Sequence, residues 1–255
     1  MDLVSIITPS YNCSKFVVDT IEAIRAQTYT NWELLISDDC SSDNSVQVIE
    51  EYARKDSRIK LFKLEKNVGA AGARNNSIRE AKGRYIAFCD SDDLWYPEKL
   101  EKQINFMKEN NYAFTITNYE LMSEEGGELN KFVTMPKSLS YSQYMRNTKI
   151  GCLTVVIDRD IVGDFEMPCV HIKTAEDMAT WLSILKRGYK VFALQECLAK
   201  YRLVSNSISA NKFKAMKNVC IEALSVLDSP DKRNLVICGR YIHIVHPQYI
   251  LFRKS

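Results

Sequence analysis

The sequence predicts an α/β protein, a mostly parallel sheet with helices on both faces and a small helical extension at the C-terminus. Two observations carry the prediction. Short apolar, β-branched runs alternate with segments of helical periodicity through residue 109, giving four strand–helix units in succession, the pattern of parallel strands joined by helical crossovers. The chain of 255 residues is also of ordinary globular make-up, 46% hydrophobic and 26% charged with 9 Gly and 6 Pro, which excludes disordered, collagenous and low-complexity classes. A chain of this length buries about three quarters of its unfolded surface, so the core needs no staple.

The first strand is 3–8, apolar and β-branched, and Pro9 is expected to halt it. A helix fits 14–27, with Ser14 as N-cap and Phe16, Val17, Ile21, Ala23 and Ile24 at helical spacing. Strand 32–36, helix 43–54 with Asp43 as N-cap, strand 59–64, helix 70–81, strand 85–89 and helix 97–109 continue the alternation. The second half is less regular. It reads as strand 113–119, a polar hairpin or loop around 124–128, helix 141–146, strand 153–157, an irregular stretch through Pro168 and helix 175–187 ended by Gly188. Short strands at 191–193 and 198–203 follow, then helices at about 211–227 and 232–245. The expected division is a main domain over 1–209 and a basic extension over 210–255.

Lys+Arg 34 against Asp+Glu 32 leaves a net charge of +2, far from the basic excess of nucleic-acid binders, so no nucleic-acid partner is expected. The excess sits in the tail, where Lys212, Lys214, Lys217, Lys232, Arg233, Arg240, Arg253 and Lys254 face Glu222, Asp228 and Asp231. The cysteines are scattered without a C-x-x-C pair, several inside apolar runs such as Ala87-Phe88-Cys89, where a reduced thiol is a small hydrophobe. A reducing cytoplasm is the economical compartment. No leader-like segment and no apolar run of about 18 residues is seen, so the chain is not expected to span a membrane. For Tyr249-Ile250-Leu251-Phe252-Arg253-Lys254 two readings stand, docking on an anionic membrane surface and packing on the domain. His243 and His246 lack partner ligands, and a surface or packing role outranks zinc.

Ligands of open parallel sheets bind outside the carboxyl ends of the strands, which selects four segments: 8–12, 37–39, 67–74 and 90–93. Asp90-Ser91-Asp92-Asp93 puts three carboxylates after an apolar strand, where their repulsion calls for a cation. A divalent metal that completes its shell with water and phosphate oxygens fits D-x-D at this place; capping of the helix entered at Pro97 is the plain alternative. Asp39 is a carboxylate able to accept a uracil imide N–H, with Tyr11 as a stacking face, or else the centre of an Asx-turn. Segment 67–75 lacks the G-x-G-x-x-G spacing, which disfavours NAD. From the helix that follows, Arg74 either reaches a phosphate or pairs internally with Asp38 or Asp90.

Together Ser5-Ile6-Ile7-Thr8-Pro9-Ser10-Tyr11-Asn12, Ser37-Asp38-Asp39-Cys40-Ser41-Ser42-Asp43-Asn44-Ser45, Gly72-Ala73-Arg74-Asn75 and Phe88-Cys89-Asp90-Ser91-Asp92-Asp93 resemble family 2 of the inverting glycosyltransferases, and within it enzymes that build bacterial surface polysaccharides such as O-antigen, capsule or teichuronic acid. The resemblance spans roughly 3–210. It implies the GT-A fold, with a Rossmann-like nucleotide-binding part over about 1–120 and an acceptor-binding part over about 121–209. It implies that Pro9, Tyr11 and Asp39 bind the nucleoside, that Arg74 lies near the nucleotide, that Asp90 faces the ribose and that Asp92 binds the metal, Mn²⁺ or Mg²⁺. Asp93 is an additional acid with its role open.

Thr174-Ala175-Glu176-Asp177-Met178-Ala179-Thr180-Trp181-Leu182 resembles the family's Glu-Asp segment, in which the Asp is the base that deprotonates the acceptor hydroxyl. Asp177 is therefore the expected catalytic base. Glu176 points about 100° away on a helix, so the two do not share one task. Trp181, one turn on, is either core or an acceptor-stacking face. Tyr201-Arg202-Leu203-Val204-Ser205 resembles a further segment in which a His often stands where this chain has Val204, and Arg202 is expected to neutralise the leaving phosphate. The expected activity is transfer of a sugar from a nucleotide-sugar, UDP-linked by family weight, to a saccharide acceptor on a lipid diphosphate. It would proceed in the cytoplasm or peripherally at the inner membrane. A sugar nucleotidyltransferase and a catalytically silent nucleotide-sugar-binding assembly partner are the rival readings; the first usually carries a basic, Gly-rich loop that Pro9-Ser10-Tyr11-Asn12 lacks.

Overall fold

The computed structural model describes residues 1–146, 150–168 and 176–205. The tail helices, the extension over 210–255, the His243/His246 pair and the terminal apolar segment lie outside the described residues, as do Thr174 and Ala175.

Strands β1 (Val4–Ser10), β2 (Trp32–Asp38), β3 (Ile59–Lys63) and β4 (Tyr85–Phe88) are parallel and lie in the order β3-β2-β1-β4. The crossovers are α1 (Val17–Arg25), α2 (Ser45–Lys55) and α3 (Gly69–Glu80). The chain steps outward from β1 to β3 and then returns across β2 and β1 to β4. With right-handed crossovers, this puts α3 on the face opposite α1 and α2. Register pairs Ser10 with Asp38 and Ile7 with Phe88, so the carboxyl ends of these strands form one edge.

Beyond β4 the sheet turns mixed. Following β5 (Leu94–Trp95) and α4 (Lys99–Asn110), β6 (Phe114–Met122) forms a hairpin with β7 (Glu128–Val133). The chain continues through β8 (Ser138–Leu139), α5 (Tyr141–Arg146), a 3-10 turn at Cys152–Thr154, β9 (Val156–Asp158), α6 (Arg159–Val162), α7 (Glu176–Lys186) and β10 (Val191–Arg202). Strand β9 joins the halves, antiparallel to both β4 and β6. The sheet order is β3-β2-β1-β4-β9-β6-β10-β5, with β7 on β6 and β8 on β10.

Several expectations are corrected. Pro9 does not end β1. The Ile7 carbonyl accepts from Cys89 and the Ser10 carbonyl from Asp39, so the N–H that proline lacks would face β4, past the last pair Ile7–Phe88, where no ladder bond is lost. Ser14 is not an N-cap: the Cys13 carbonyl accepts from Phe16 at 2.9 Å and Val17 at 3.0 Å, and α1 starts three residues later. The two short C-terminal strands are one, β10, interrupted by register shifts between Leu194 and Cys197 and between Cys197 and Lys200. The bulge exposes Gln195 and Glu196 and so breaks the apolar alternation.

The core lies on both faces of β1, β2 and β4, with Ile6, Leu34, Ile36, Ile86 and Phe88 fully buried; each such side chain contributes about 1.5–3 kcal/mol. Trp181 of α7 closes this core against β4 and β6, its ring 5.4 Å from those of Phe88 and Phe114.

Candidate active site

Loops leaving β1, β2, β3 and β4 share one edge, and side chains of those loops lock them together. The Asn12 backbone adopts φ 47°, which asparagine tolerates better than most residues. Its N–H donates to Ser41 Oγ at 2.9 Å, and its Oδ1 accepts from Ser42 N at 2.8 Å. Asp38 is buried and saturated: Oδ2 accepts from Ser10 and Ser41 hydroxyls at 2.8 and 2.6 Å, Oδ1 from Ser41 N at 2.9 Å. Asp43 lies one residue before the cap position of α2 but still accepts from Ser45 N at 2.9 Å and from Ser14 N at 3.0 Å. Burial would raise its carboxyl, but these hydrogen bonds prevail and hold it at about 2.

Asp39 performs a different task. Its Oδ1 accepts from Val68 N at 2.7 Å and its Oδ2 from Gly69 N at 2.8 Å. The carboxylate thus satisfies two orphan donors at the N-terminus of α3, where the helix dipole also favours negative charge. Each oxygen keeps acceptor capacity for a ligand N–H. Tyr11, 56% exposed, follows Ser10, whose carbonyl accepts from Asp39 N at 2.8 Å. An exposed aromatic residue and an anchored carboxylate therefore stand at neighbouring strand ends.

Arg74, buried in α3, joins the two halves of the site. Its Nη2 donates to Asp90 Oδ1 at 2.6 Å and its Nη1 to Glu176 Oε1 at 3.0 Å. Burial alone would lower its pKa; the Asp90 and Glu176 charges reverse this and leave it well above its usual value. Asp38, the other expected partner, is taken by Ser10 and Ser41. The first turn of α7 is thereby tied to the loop after β4, and Asp177 stands beside that tie. Its Oδ1 accepts from Met178 N at 2.6 Å. Burial first and the Glu176 charge second push the Asp177 carboxyl up to about 7, with Arg74 opposing. Tyr144 and Cys152, both buried, feel the Asp177 charge, and the sequence reading named neither.

Asp92 is pushed up to about 6, by burial and then by the Asp90 charge. Asp93 is buried and raised further by burial and the charges of Asp92 and Asp90. Its Oδ1 accepts from Arg202 N at 3.0 Å, while Oδ2 has no protein partner. Three acids thus share too little positive charge. The donors are hard oxygens, and a divalent ion that takes one or two carboxylates and fills its shell from a diphosphate and water fits them. Among the described residues no three His, Cys, Asp or Glu side chains form a complete metal cage, and such an ion does not require one.

Of the two readings of Trp181 the structure takes the core: the ring is fully buried between Phe88 and Phe114 and offers no stacking face. The expectation for Arg202 is corrected. Arg202 is 3% exposed and all three of its side-chain nitrogens donate to protein: Nε to Asp92 O at 2.8 Å, Nη1 to Glu124 O at 2.9 Å and Nη2 to Asp19 Oδ2 at 3.0 Å. It lies beneath the acidic loop. Glu124 and Asp19 were not singled out by the sequence, because nothing local marks a contact across so many residues.

Residues 5–160 match the family model described as Glycosyl transferase family 2. The Bacillus subtilis (strain 168) protein TuaG, whose name assigns it to teichuronic acid biosynthesis as a glycosyltransferase, is 50% identical over 84% of each chain. The Escherichia coli UDP-Glc:alpha-D-GlcNAc-diphosphoundecaprenol beta-1,3-glucosyltransferase WfgD is 47% identical over 84% of this chain and 83% of its own. Among solved structures, S. aureus TarS 1-349 in complex with UDP superimposes with a TM-score of 0.69 at 20% identity, covering 95% of this chain and 71% of that one.

Proposed function

Because the chain belongs to glycosyl transferase family 2 and has the GT-A fold, we propose that it transfers a sugar, with inversion, from a UDP-sugar to a hydroxyl of a lipid-diphosphate-linked saccharide in the synthesis of a bacterial surface polysaccharide. The observation that carries this reading is the Arg74 bridge, which holds Asp90 of the donor edge and Glu176 of the α7 turn at 2.6 and 3.0 Å. A donor site and a candidate base so joined are what a single displacement at an anomeric carbon requires. The name of WfgD supports the substrate class, and that of TuaG the synthesis of a bacterial polysaccharide.

In this reading the uracil ring lies on Tyr11 with its imide N–H directed to Asp39, and Pro9 shapes the floor. Asp90 receives the ribose, and its 2.6 Å bond to Arg74 Nη2 fixes it in place. Asp92 would hold Mn²⁺ or Mg²⁺, with Asp93 behind it; the ion would supply positive charge to the departing diphosphate. Asp177 takes the acceptor hydroxyl proton as that oxygen attacks the anomeric carbon, opposite the diphosphate. A carboxyl pushed up to about 7 is a stronger base than an ordinary aspartate and is still ionised in half or more of the molecules at neutral pH. Among the described residues no helix is long and apolar enough to cross a membrane; a peripheral location at the cytoplasmic face, beside a lipid-linked acceptor, is part of the proposal.

Titration calorimetry of UDP with and without Mn²⁺, with GDP and dTDP as controls and Asp92→Ala in parallel, tests the donor site. Metal-strengthened UDP binding that Asp92→Ala abolishes is expected. Absence of nucleotide binding would overturn the reading, and full transfer by Asp177→Asn would remove the base.

A further inference from the structure

We propose that Arg202 is a positioning residue for the acidic loop, fixing from below the backbone that presents Asp92 to the donor's cation. This rests on the donor-site reading above. Arg202 ends β10, and its donors reach three other parts of the chain. The backbone N–H donates to Asp93 Oδ1 at 3.0 Å and Nε to Asp92 O at 2.8 Å, so two bonds hold consecutive residues of the loop. Nη2 reaches Asp19 of α1 at 3.0 Å and Nη1 the Glu124 carbonyl in the β6–β7 turn at 2.9 Å. The guanidinium carbon lies 5.0 Å from the Phe16 ring centroid.

Glu124 is itself fastened. Its carboxylate accepts from Lys15 Nζ at 2.9 Å and from Ser205 Oγ at 2.7 Å, which ties the turn to the loop after β1 and to the end of β10. The acidic loop, α1, the β6–β7 turn and β10 therefore converge on one buried guanidinium. An arginine that gripped a diphosphate would present its planar fork to the groove; here the three nitrogens are engaged with Asp92, Glu124 and Asp19 inside the protein. A lysine in its place donates from one compact nitrogen and cannot span the three separate directions in which the guanidinium nitrogens reach Asp92, Glu124 and Asp19.

Outer partners of a metal site typically govern affinity for the ion by about 10- to 100-fold. UDP is titrated into wild type and Arg202→Lys, each with and without Mn²⁺, after circular dichroism and thermal melting establish that the variant is folded. Affinity with Mn²⁺ is expected to fall about tenfold or more, while metal-free affinity stays within about twofold. Equal losses in both conditions would show direct phosphate contact and overturn the proposal, as would unchanged affinity in both. Asp19→Ala, at an exposed position, removes one anchor only; the same metal-selective loss, smaller, is expected, and it decides the matter if Arg202→Lys does not fold. If wild-type UDP binding is indifferent to Mn²⁺, the donor-metal reading fails first, visibly and before any variant is made.

Discussion

Glu176→Gln is expected to move the acid limb of the pH–rate profile downward. In the proposed mechanism Asp177 works as a base only when ionised. With its carboxyl at about 7, kcat/KM should fall about tenfold per pH unit below that value and level off above it. Glu176 raises the Asp177 carboxyl because the two charges sit on consecutive residues of α7, and Glu176 also accepts the Nη1 bond of Arg74. Removing its charge ends the repulsion and frees part of the Arg74 field to favour the Asp177 carboxylate, so both changes act in one direction. Two unit charges about 7 Å apart at an effective dielectric constant of about 20–40 interact by about 1–2 kcal/mol, which corresponds to about one pKa unit. The limb should therefore move from about pH 7 to about pH 6; burial, the larger cause, keeps it well above the usual carboxylate range. The assay is initial-rate sugar transfer at fixed ionic strength between about pH 5 and about pH 9. A limb that stays in place or moves upward would refute the electrostatic account, and an unchanged limb in Asp177→Asn would refute the identity of the titrating group.

Two further outcomes follow from buried groups away from the transfer step itself. Asp39→Ala removes the acceptor of the Val68 and Gly69 N–H groups and should lower stability by about 1–2 kcal/mol, the usual range for a lost helix cap; an unshifted urea midpoint would contradict it. Lys99, fully buried over the Trp95 ring with one hydrogen bond to Gln103, is lowered by burial to about 7. Between about pH 7 and the unfolded value of 10.5 the unfolded chain binds more protons, so stability rises with pH across that window. Lys99→Met keeps the stem and removes the amine; it should raise the melting temperature at pH 7 by the equivalent of about 1–2 kcal/mol, with the difference shrinking toward pH 10. A gap that widens with pH would reverse the sign of the argument.

The fold of the first half is legible because its signals are local. The apolar runs of β1, β2, β3 and β4 and the helical spacing between them each fit within one short window, and parallel pairing follows from the strand–helix alternation. Pro9 misleads because proline's missing N–H matters only if a neighbouring strand is there to use it, and β4 has already ended. The bulge in β10 misleads for a related reason: two solvent-facing residues, Gln195 and Glu196, break the alternation without breaking the ladder. The two-residue strands β5 and β8 exist only because β10 passes them, and nothing in their own sequence announces that.

The site divides in the same way. The placing of Asp39, Asp90 and Asp92 on one sheet edge is legible because a strand end is a place as well as a conformation, and the strands that carry them are readable. Asp177 and Trp181 show where that logic stops. Four residues apart, they share one face of α7, so the helix alone would send both to the site. The first turn reaches the Arg74 bridge, whereas the next is already against Phe88 and Phe114; depth along the axis, which periodicity does not encode, separates the proposed base from a core residue. Arg202 is the stronger case. Its chemistry, a guanidinium near a diphosphate, suits either a ligand contact or a buried clamp, and only the positions of Asp19, Asp92 and Glu124 choose between them. All three are far from it in sequence and adjacent in space. The candidate donor-site residues are thus written locally, at strand ends, while those that hold them in place are written in pairings between distant segments.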